Sequence, residues 1–246
     1  MIPFRDDNPS GTFPYVTVAL IVLNVLAFVA ELSQIRAEAG RRGRVRIPAV
    51  MAEYAMQPVE VVRTLQGKPV PRQAFPVLLT PLTSMFMHGG WLHLLGNMLY
   101  LWIFGDNVED RMGHVKYVLF YLLCGLGAAG AHAAVNPSSS VPTVGASGAI
   151  AGVLGAYLLA FPKARVSTLL TLGFFITVIR LPAVIVLGFW FVLQFFSGVG
   201  SLSARATGGG VAWWAHIGGF VLGMGLLFVF QKSKAKRRPY NYYRAV

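Results

Sequence analysis

Charged residues are scarce in this sequence. Asp, Glu, Lys and Arg make up 12% of its 246 residues, whereas ordinary soluble domains carry about 25%. Acidic residues are the scarcest of these, with nine Asp and Glu against 21 Lys and Arg. Hydrophobic residues reach 55%, and several apolar runs approach the roughly 20 residues that cross a bilayer as a helix. The composition therefore excludes an ordinary soluble domain and predicts a polytopic membrane protein.

Other scarcities narrow the class further. One cysteine, Cys124, cannot form a disulfide within the chain and says little about the redox compartment. Short alternating segments typical of a membrane β-barrel are missing, since the apolar runs are continuous. Most basic residues lie outside these runs, as expected because Lys or Arg at a membrane helix centre costs about 2.5–3.5 kcal/mol. The positive charge therefore predicts contact with anionic lipid rather than with nucleic acid.

The apolar runs predict an all-α fold of six membrane-spanning helices. These spans, numbered one to six, are placed at about 14–33, 91–106, 115–134, 147–161, 182–198 and 212–230. Segment 166–179 is only 14 residues long, a length that favours an interfacial or re-entrant segment, although a seventh span stays open. The expected organisation is a tail at 1–13, a membrane domain at 14–231 with a long first loop at 34–90, and a basic tail at 232–246.

Charge outside the spans predicts the orientation. The basic tail follows the last span directly, and the excess of Lys and Arg in cytoplasmic loops places it in the cytoplasm. Six spans then place the N-terminus there as well. Arginines of the first loop fall on the opposite side, which is acceptable because long loops obey the charge rule poorly; they are Arg36, Arg41, Arg42, Arg44 and Arg46.

Four polar side chains are expected at the outer ends of three spans. His93 and Asn97 are four residues apart in span two and share a helix face. Ser147 opens span four, and His216 lies one turn into span six. Span four is about 22 Å long and the hydrocarbon about 30 Å thick. Ser147 is therefore expected below the outer surface, at the floor of a water-filled pocket.

Small residues predict how these spans meet. Gly148, Gly152 and Gly155 give span four a small-residue face, and Gly219 and Gly223 do the same for span six. Membrane helices approach closely along such faces. If the two faces meet, the outer ends of both spans come together.

The residue types in this pocket are those of acyl-transfer chemistry. A histidine can take the proton of a serine hydroxyl, and amide, imidazole and backbone N–H donors can stabilise the oxyanion that forms. Alone, Ser147 would more often be packing or a helix cap, and His216 an interhelical hydrogen bonder. Spans four and six contain no Asp or Glu, which predicts a dyad. No metal site is expected, because the H-E-x-x-H pattern and an acidic ligand are missing.

Three segments resemble the rhomboid intramembrane serine proteases: HGGWLHLLGNMLYLWIFGDNVEDRMG, GASGAIAG and AHIGGFVLG. The similarity runs from about 76 to 230. It implies that Ser147 of G-x-S-G is the nucleophile and that His216 is the base. It also implies that His93 and Asn97 help to form the oxyanion site.

Further matches and departures concern structure around the site. Gly105, Glu109 and Gly113 match a structural signature of the family, and His88 matches a frequent histidine that is expected to hold the first loop against span two. Two positions depart from many bacterial members. Leu79-Thr80 replaces a Trp-Arg pair, and Ala151 replaces a tyrosine that stacks on the base. We therefore expect Trp213 or Trp214 to hold His216.

The sequence thus predicts an intramembrane serine endopeptidase that cleaves transmembrane segments of membrane proteins near the outer face and needs no cofactor. Substrates are expected to pass between spans two and five, gated by span five and loop 199–211. The alternative is an inactive rhomboid-like protein that binds transmembrane helices as an adaptor or chaperone. A small transporter is disfavoured, because inverted repeats and midplane charges are missing. The expected location is the inner membrane of a bacterial cell, and the oligomeric state stays open.

Overall fold

The computed structural model describes residues 1–42, 47–71, 74–172, 175–203 and 211–232. Helices dominate this part of the chain, and one small sheet accompanies them. The helices are α1 (Tyr15–Arg42), α2 (Ala49–Tyr54), α3 (Pro58–Leu65), α4 (Thr80–Ser84), α5 (Trp91–Met112), α6 (His114–Val135), α7 (Ser147–Ala160), α8 (Ala183–Ser203) and α9 (Trp213–Phe230). The strands are β1 (Ile2–Asp6), β2 (Arg165–Leu172) and β3 (Phe175–Pro182), and a 3-10 turn covers Val77–Leu79.

Helices lie at all six predicted spans, but they differ in length. In the described part of the chain, four are long and apolar enough to cross a membrane: α1, α6, α8 and α9. Helix α7 is apolar but has only 14 residues. Helix α5 has 22 residues, and its last two turns carry charged side chains. Residues 233–246 of the predicted basic tail and the arginines at 44 and 46 lie outside the described residues, as does most of loop 199–211.

The described residues of segment 166–179 lie in two paired strands, 165–172 and 175–182, so this part of the chain forms neither a seventh helical span nor a re-entrant helix. Strand β2 pairs antiparallel with β3 from Arg165↔Pro182 to Leu172↔Phe175. β-Branched residues recur along both strands, and such side chains favour the pleated conformation over a helix. An apolar run of this length does not by itself distinguish strand from helix.

The N-terminal tail contributes the third strand of this sheet. Strand β1 pairs antiparallel with β2, with Ile2 opposite Leu169 and Asp6 opposite Val166. Asp6 accepts a hydrogen bond from the hydroxyl of Tyr157, near the end of α7. The sheet is therefore attached to the end of α7 that lies away from Ser147.

Glycines let α7 and α9 pack backbone against backbone. A Cβ on Gly223 would lie 2.0 Å from the carbonyl oxygen of Gly152, and one on Gly155 would lie 2.1 Å from that of Phe220. No side chain fits at such separations, so glycine is required at these contacts. The structure confirms the predicted meeting of the two glycine faces.

Glu109 joins the first helix to α5. Its fully buried carboxylate accepts hydrogen bonds from the backbone N–H of Val16 at 2.9 Å and of Thr17 at 2.7 Å, and from the Thr17 hydroxyl at 2.8 Å. The first N–H groups of a helix have no intrahelical acceptor, so this carboxylate caps α1. Gly113, at φ +86°, provides the left-handed residue between α5 and α6.

The first loop packs against the connection between α6 and α7. Met56 and Thr143 form an antiparallel bridge, and the N–H of Gly145 donates to the carbonyl of Ser84 at 2.9 Å. Gly145 has φ +124°, a conformation that L side chains rarely adopt. These contacts hold the segment that leads into Ser147.

Candidate active site

Ser147 and His216 meet where α7 and α9 begin. The two atoms in contact are Oγ of Ser147 and Nε2 of His216, which are 2.7 Å apart. Ser147 is the first residue of α7, and His216 is the fourth residue of α9. Close packing of the two helices through Gly148 and Gly219 brings these ends together.

The other imidazole nitrogen contacts a residue that the sequence reasoning missed. Nδ1 of His216 lies 2.7 Å from Oε1 of Gln194, which is 8% exposed on α8. Because an amide oxygen can only accept, Nδ1 carries the proton, and the lone pair of Nε2 faces the Ser147 hydroxyl. The signal that could have found Gln194 was a lone amide within a long apolar helix, since buried polar groups in membranes mark partners or function.

Two tryptophans surround the imidazole. The ring of Trp213 meets the His216 ring edge-on with centroids 6.3 Å apart. Trp213 is one of the two tryptophans that the sequence predicted beside His216. Trp190 of α8, which was not predicted, lies closer, at 5.8 Å and 35°. Ala151 is fully buried and has no ring to stack on His216, and the two indoles lie beside the imidazole instead.

All four predicted side chains line one cavity of about 680 Å³. Ser147 and His216 lie in it together with His93 and Asn97 of α5. Helix α5 thus supplies one wall of the cavity, while α7 and α9 supply Ser147 and His216.

His93 and Asn97 present hydrogen-bond donors to this cavity. Nδ1 of His93 accepts the N–H of Gly89 at 3.3 Å, so a neutral His93 carries its proton on Nε2. That nitrogen faces Gly145, where an added Cβ would lie 2.7 Å from it. Asn97 is 7% exposed, and its Nδ2 has no hydrogen-bond partner among the described residues. Both groups can therefore donate to an incoming oxygen atom.

His88 lies behind the cavity wall. Its backbone N–H donates to Glu31 at 3.1 Å, and its ring packs edge-on against His93 with centroids 5.1 Å apart and against Phe28. Burial lowers the pKa of His88 to about 4, so the side chain is neutral at physiological pH. Its contacts join α1 to the start of α5, in agreement with the structural role predicted for it.

The remaining histidines differ in position. His132 lines the cavity from α6. Nδ1 of the half-exposed His114 lies 2.6 Å from Oε1 of Glu109. Within the described ranges, no three His, Cys, Asp or Glu side chains are grouped so that they could hold a metal ion.

Comparison with known proteins identifies the family of the chain. The family model described as "Rhomboid domain" matches residues 77–233. The chain belongs to the rhomboid family. With its long apolar helices, it is a multi-pass membrane protein.

Curated relatives include both plant and bacterial members of the family. The chain is 26% identical to RHOMBOID-like protein 1 of Arabidopsis thaliana over 94% of its own length and 62% of the relative's. It is 33% identical to RHOMBOID-like protein 6, mitochondrial, of Arabidopsis thaliana over 60% and 42%. It is 36% identical to the rhomboid protease GluP of Bacillus subtilis (strain 168) over 52% and 24%. The matched regions thus cover less than two thirds of these relatives.

Proposed function

We propose that this rhomboid is an intramembrane serine endopeptidase in which Ser147 is the nucleophile and His216 the base. The observation that supports this most directly is the 2.7 Å contact between Ser147 Oγ and His216 Nε2. Because Nδ1 of the same ring carries its proton toward Gln194, Nε2 is free to take the serine proton.

The proposed reaction has two stages. Ser147 Oγ attacks the scissile carbonyl carbon while its proton moves to His216, which then gives that proton to the leaving amine. A water molecule next attacks the carbonyl carbon of the acyl ester while His216 accepts a proton from it. His216 then returns this proton to Ser147 Oγ as the ester C–O bond breaks and the acid product leaves. Asn97 Nδ2, His93 Nε2–H and the Ser147 backbone N–H stabilise the oxyanion in both stages.

The proposed setting is a six-helix membrane domain with both termini in the cytoplasm, in a bacterial inner membrane. Helices α1, α5, α6, α7, α8 and α9 are the six crossings. Helix α7 measures about 21 Å at 1.5 Å per residue, which is short for a hydrocarbon layer of about 30 Å. Ser147 then lies below the outer surface, in a cavity that water reaches from outside.

Proposed substrates are transmembrane segments of other membrane proteins. They reach the cavity between α5 and α8. Helix α8 favours this route because it packs on α9 while many of its apolar side chains are exposed, among them Phe189, Val192 and Phe196. A substrate helix must unwind locally, since its peptide bonds are otherwise hydrogen-bonded and shielded from attack.

Labelling with a fluorophosphonate tests the nucleophile. We expect the wild type to react, and Ser147→Ala and His216→Ala to lose the label. Ser139→Ala is a matched control, because Ser139 also lines the cavity and should leave labelling unchanged. If Ser147→Ala labels as the wild type does, the nucleophile assignment is wrong. If the wild type itself takes no label, the adaptor alternative, which needs glycine packing but no reactive hydroxyl, takes the place of the protease.

A fluorogenic transmembrane substrate tests the oxyanion donors. Asn97→Ala should lower kcat by about 10²–10³-fold, the usual cost of one such donor. Unfolding should be unaffected, because Asn97 Nδ2 has no partner to lose among the described residues. Unchanged turnover in Asn97→Ala would remove this residue from the oxyanion site.

A further inference from the structure

We propose that Gln194 is a positioning residue for His216, so that the site is a Ser-His-Gln triad supplied by three helices. This inference rests on the proposed protease function and adds to it. Two contacts of 2.7 Å link the three side chains. One joins Ser147 Oγ to His216 Nε2, and the other joins His216 Nδ1 to Gln194 Oε1.

The role follows from the two tautomers of a neutral imidazole. If Nδ1 lost its acceptor, the proton could move to Nε2, and that nitrogen would then face Ser147 as a donor that cannot take the hydroxyl proton. In serine proteases with a carboxylate at this place, disturbing the tautomer costs about 10⁴-fold in kcat. The Gln194 amide fixes the same tautomer without a negative charge, so it stabilises the imidazolium less than a carboxylate would.

Packing between α8 and α9 does not depend on this hydrogen bond. Phe191 stacks on Phe220 with ring centroids 4.7 Å apart, and Trp190 stacks on Phe220 at 6.0 Å. The two helices also approach closely at Gly198, where an added Cβ would lie 3.2 Å from Cδ1 of Ile217. Because these apolar contacts already join the helices, loss of the amide should affect the base more than the fold.

The location of Gln194 connects the base to the proposed substrate route. Gln194 belongs to α8, the helix beside which substrates are proposed to enter, whereas the reacting pair belongs to α7 and α9. Outward movement of α8 would withdraw the acceptor from Nδ1. The base is therefore fully oriented when α8 is packed on α9.

Two substitutions separate positioning from packing. Gln194→Leu keeps similar volume without an acceptor, and Gln194→Glu keeps the acceptor and adds charge. Leu193→Ala is the control, since Leu193 is its neighbour on α8 and is 47% exposed. The measurements are kcat and KM on a fluorogenic transmembrane substrate across pH, the rate of fluorophosphonate labelling, and thermal unfolding in micelles.

Gln194→Leu is expected to lower kcat and labelling about 10²–10³-fold, below the loss for a carboxylate, with KM and unfolding nearly unchanged. Gln194→Glu is expected to regain most of the rate. The acidic limb of its pH profile should move to higher pH, because a carboxylate stabilises the imidazolium. The other titratable groups that face His216 in the described residues, His93 and His132, are the same in all variants.

The proposal is overturned if Gln194→Leu retains kcat within twofold of Leu193→Ala, or if Gln194→Glu is as slow as Gln194→Leu with an unmoved pH profile. If Gln194→Leu fails to fold, the wild type is the reference: a Gln194→Glu that is about 10²-fold slower than the wild type, with an unmoved pH profile, then overturns the proposal. A wild type that takes no fluorophosphonate would instead refute the protease function itself.

Discussion

The carbonyl oxygen of Gly148 on α7 lies 2.0 Å from the position that a Cβ on Gly219 of α9 would occupy. This contact between two backbones lies beside the proposed nucleophile and base, since Ser147 precedes Gly148 and His216 lies one helical turn before Gly219. The separation between hydroxyl and imidazole therefore depends on the absence of a side chain at residue 219.

Gly219→Ala should both destabilise the protein and separate the reacting pair. The added Cβ would collide with the backbone of Gly148, which cannot rotate away as a side chain can. We therefore expect the free energy of unfolding to fall by about 3 kcal/mol, the upper end for overpacking, and fluorophosphonate labelling to decrease. Gly225→Ala is the matched control on the same helix, because a Cβ there meets nothing within 4 Å in the described structure. Alanine at 225 should be neutral or stabilising by up to about 1 kcal/mol. Equal unfolding of the two variants would contradict the close contact.

Glu109→Ala should lower stability by about 3–5 kcal/mol. It leaves the buried donors of Val16 and Thr17 without their acceptor, and removing one partner of a buried charged network has a cost of this size. His114→Ala should cost much less, because His114 is 41% exposed at its side chain and water can replace it. Thermal unfolding in micelles measures both, and similar losses in the two variants would show that Glu109 does not cap α1.

Strand β1 should dock less tightly against β2 and the end of α7 as the pH rises. Burial, together with the nearby carboxyl of Asp106, raises the pKa of Asp6 from 3.8 to about 7, while hydrogen bonding to Tyr157 opposes the shift. A carboxyl with a raised pKa favours the docked state fully below about pH 3.8 and loses this contribution as the pH rises through 7. Docking should therefore be tighter at acidic than at neutral pH.

A nitroxide on Ile2→Cys can follow this docking, because Ile2 is half exposed and the natural cysteine, Cys124, is buried. Label mobility should increase with a midpoint near pH 7. In Asp6→Asn the amide cannot ionise, so mobility should stay constant with pH. The same pH response in both proteins would exclude Asp6 as its source.

A disulfide between α8 and α9 should test the proposed route for substrates. A Cβ on Gly198 would lie 3.4 Å from Cβ of Trp213, close to the range of about 3.5–4.5 Å that disulfides span. The oxidised Gly198→Cys, Trp213→Cys variant should lose transmembrane substrate turnover by on the order of tenfold or more. Fluorophosphonate labelling should persist, since a small probe enters from water.

Reduction of that variant should restore turnover to the level of the single variant Trp213→Cys, which accounts for loss of the indole beside His216. Substrate turnover that is equal in the oxidised and reduced forms would place the route elsewhere than beside α8.

Features that depend on neighbours along one helix could be predicted from the sequence. The spacing of His93 and Asn97 predicted one shared face, and the glycines of α7 and α9 predicted two faces able to touch, because helical periodicity converts separation along the chain directly into direction. Hydropathy likewise predicted where the long helices lie, since transfer into lipid depends mainly on local composition. None of this information required knowledge of which helices are neighbours.

Tertiary structure alone decided the contacts between distant segments. Gln194 lies in an apolar run, and its sequence neighbours do not indicate that its amide contacts the imidazole of His216, which is 22 residues further along the chain on another helix. Strand β1 pairs with β2 across more than half the chain, and the apolar residues of β2 form a strand because β1 and β3 satisfy its backbone hydrogen bonds. The residue types that could react were thus determined by the sequence. The orientation of the base was decided by packing, because it depends on where three separate helices place their side chains.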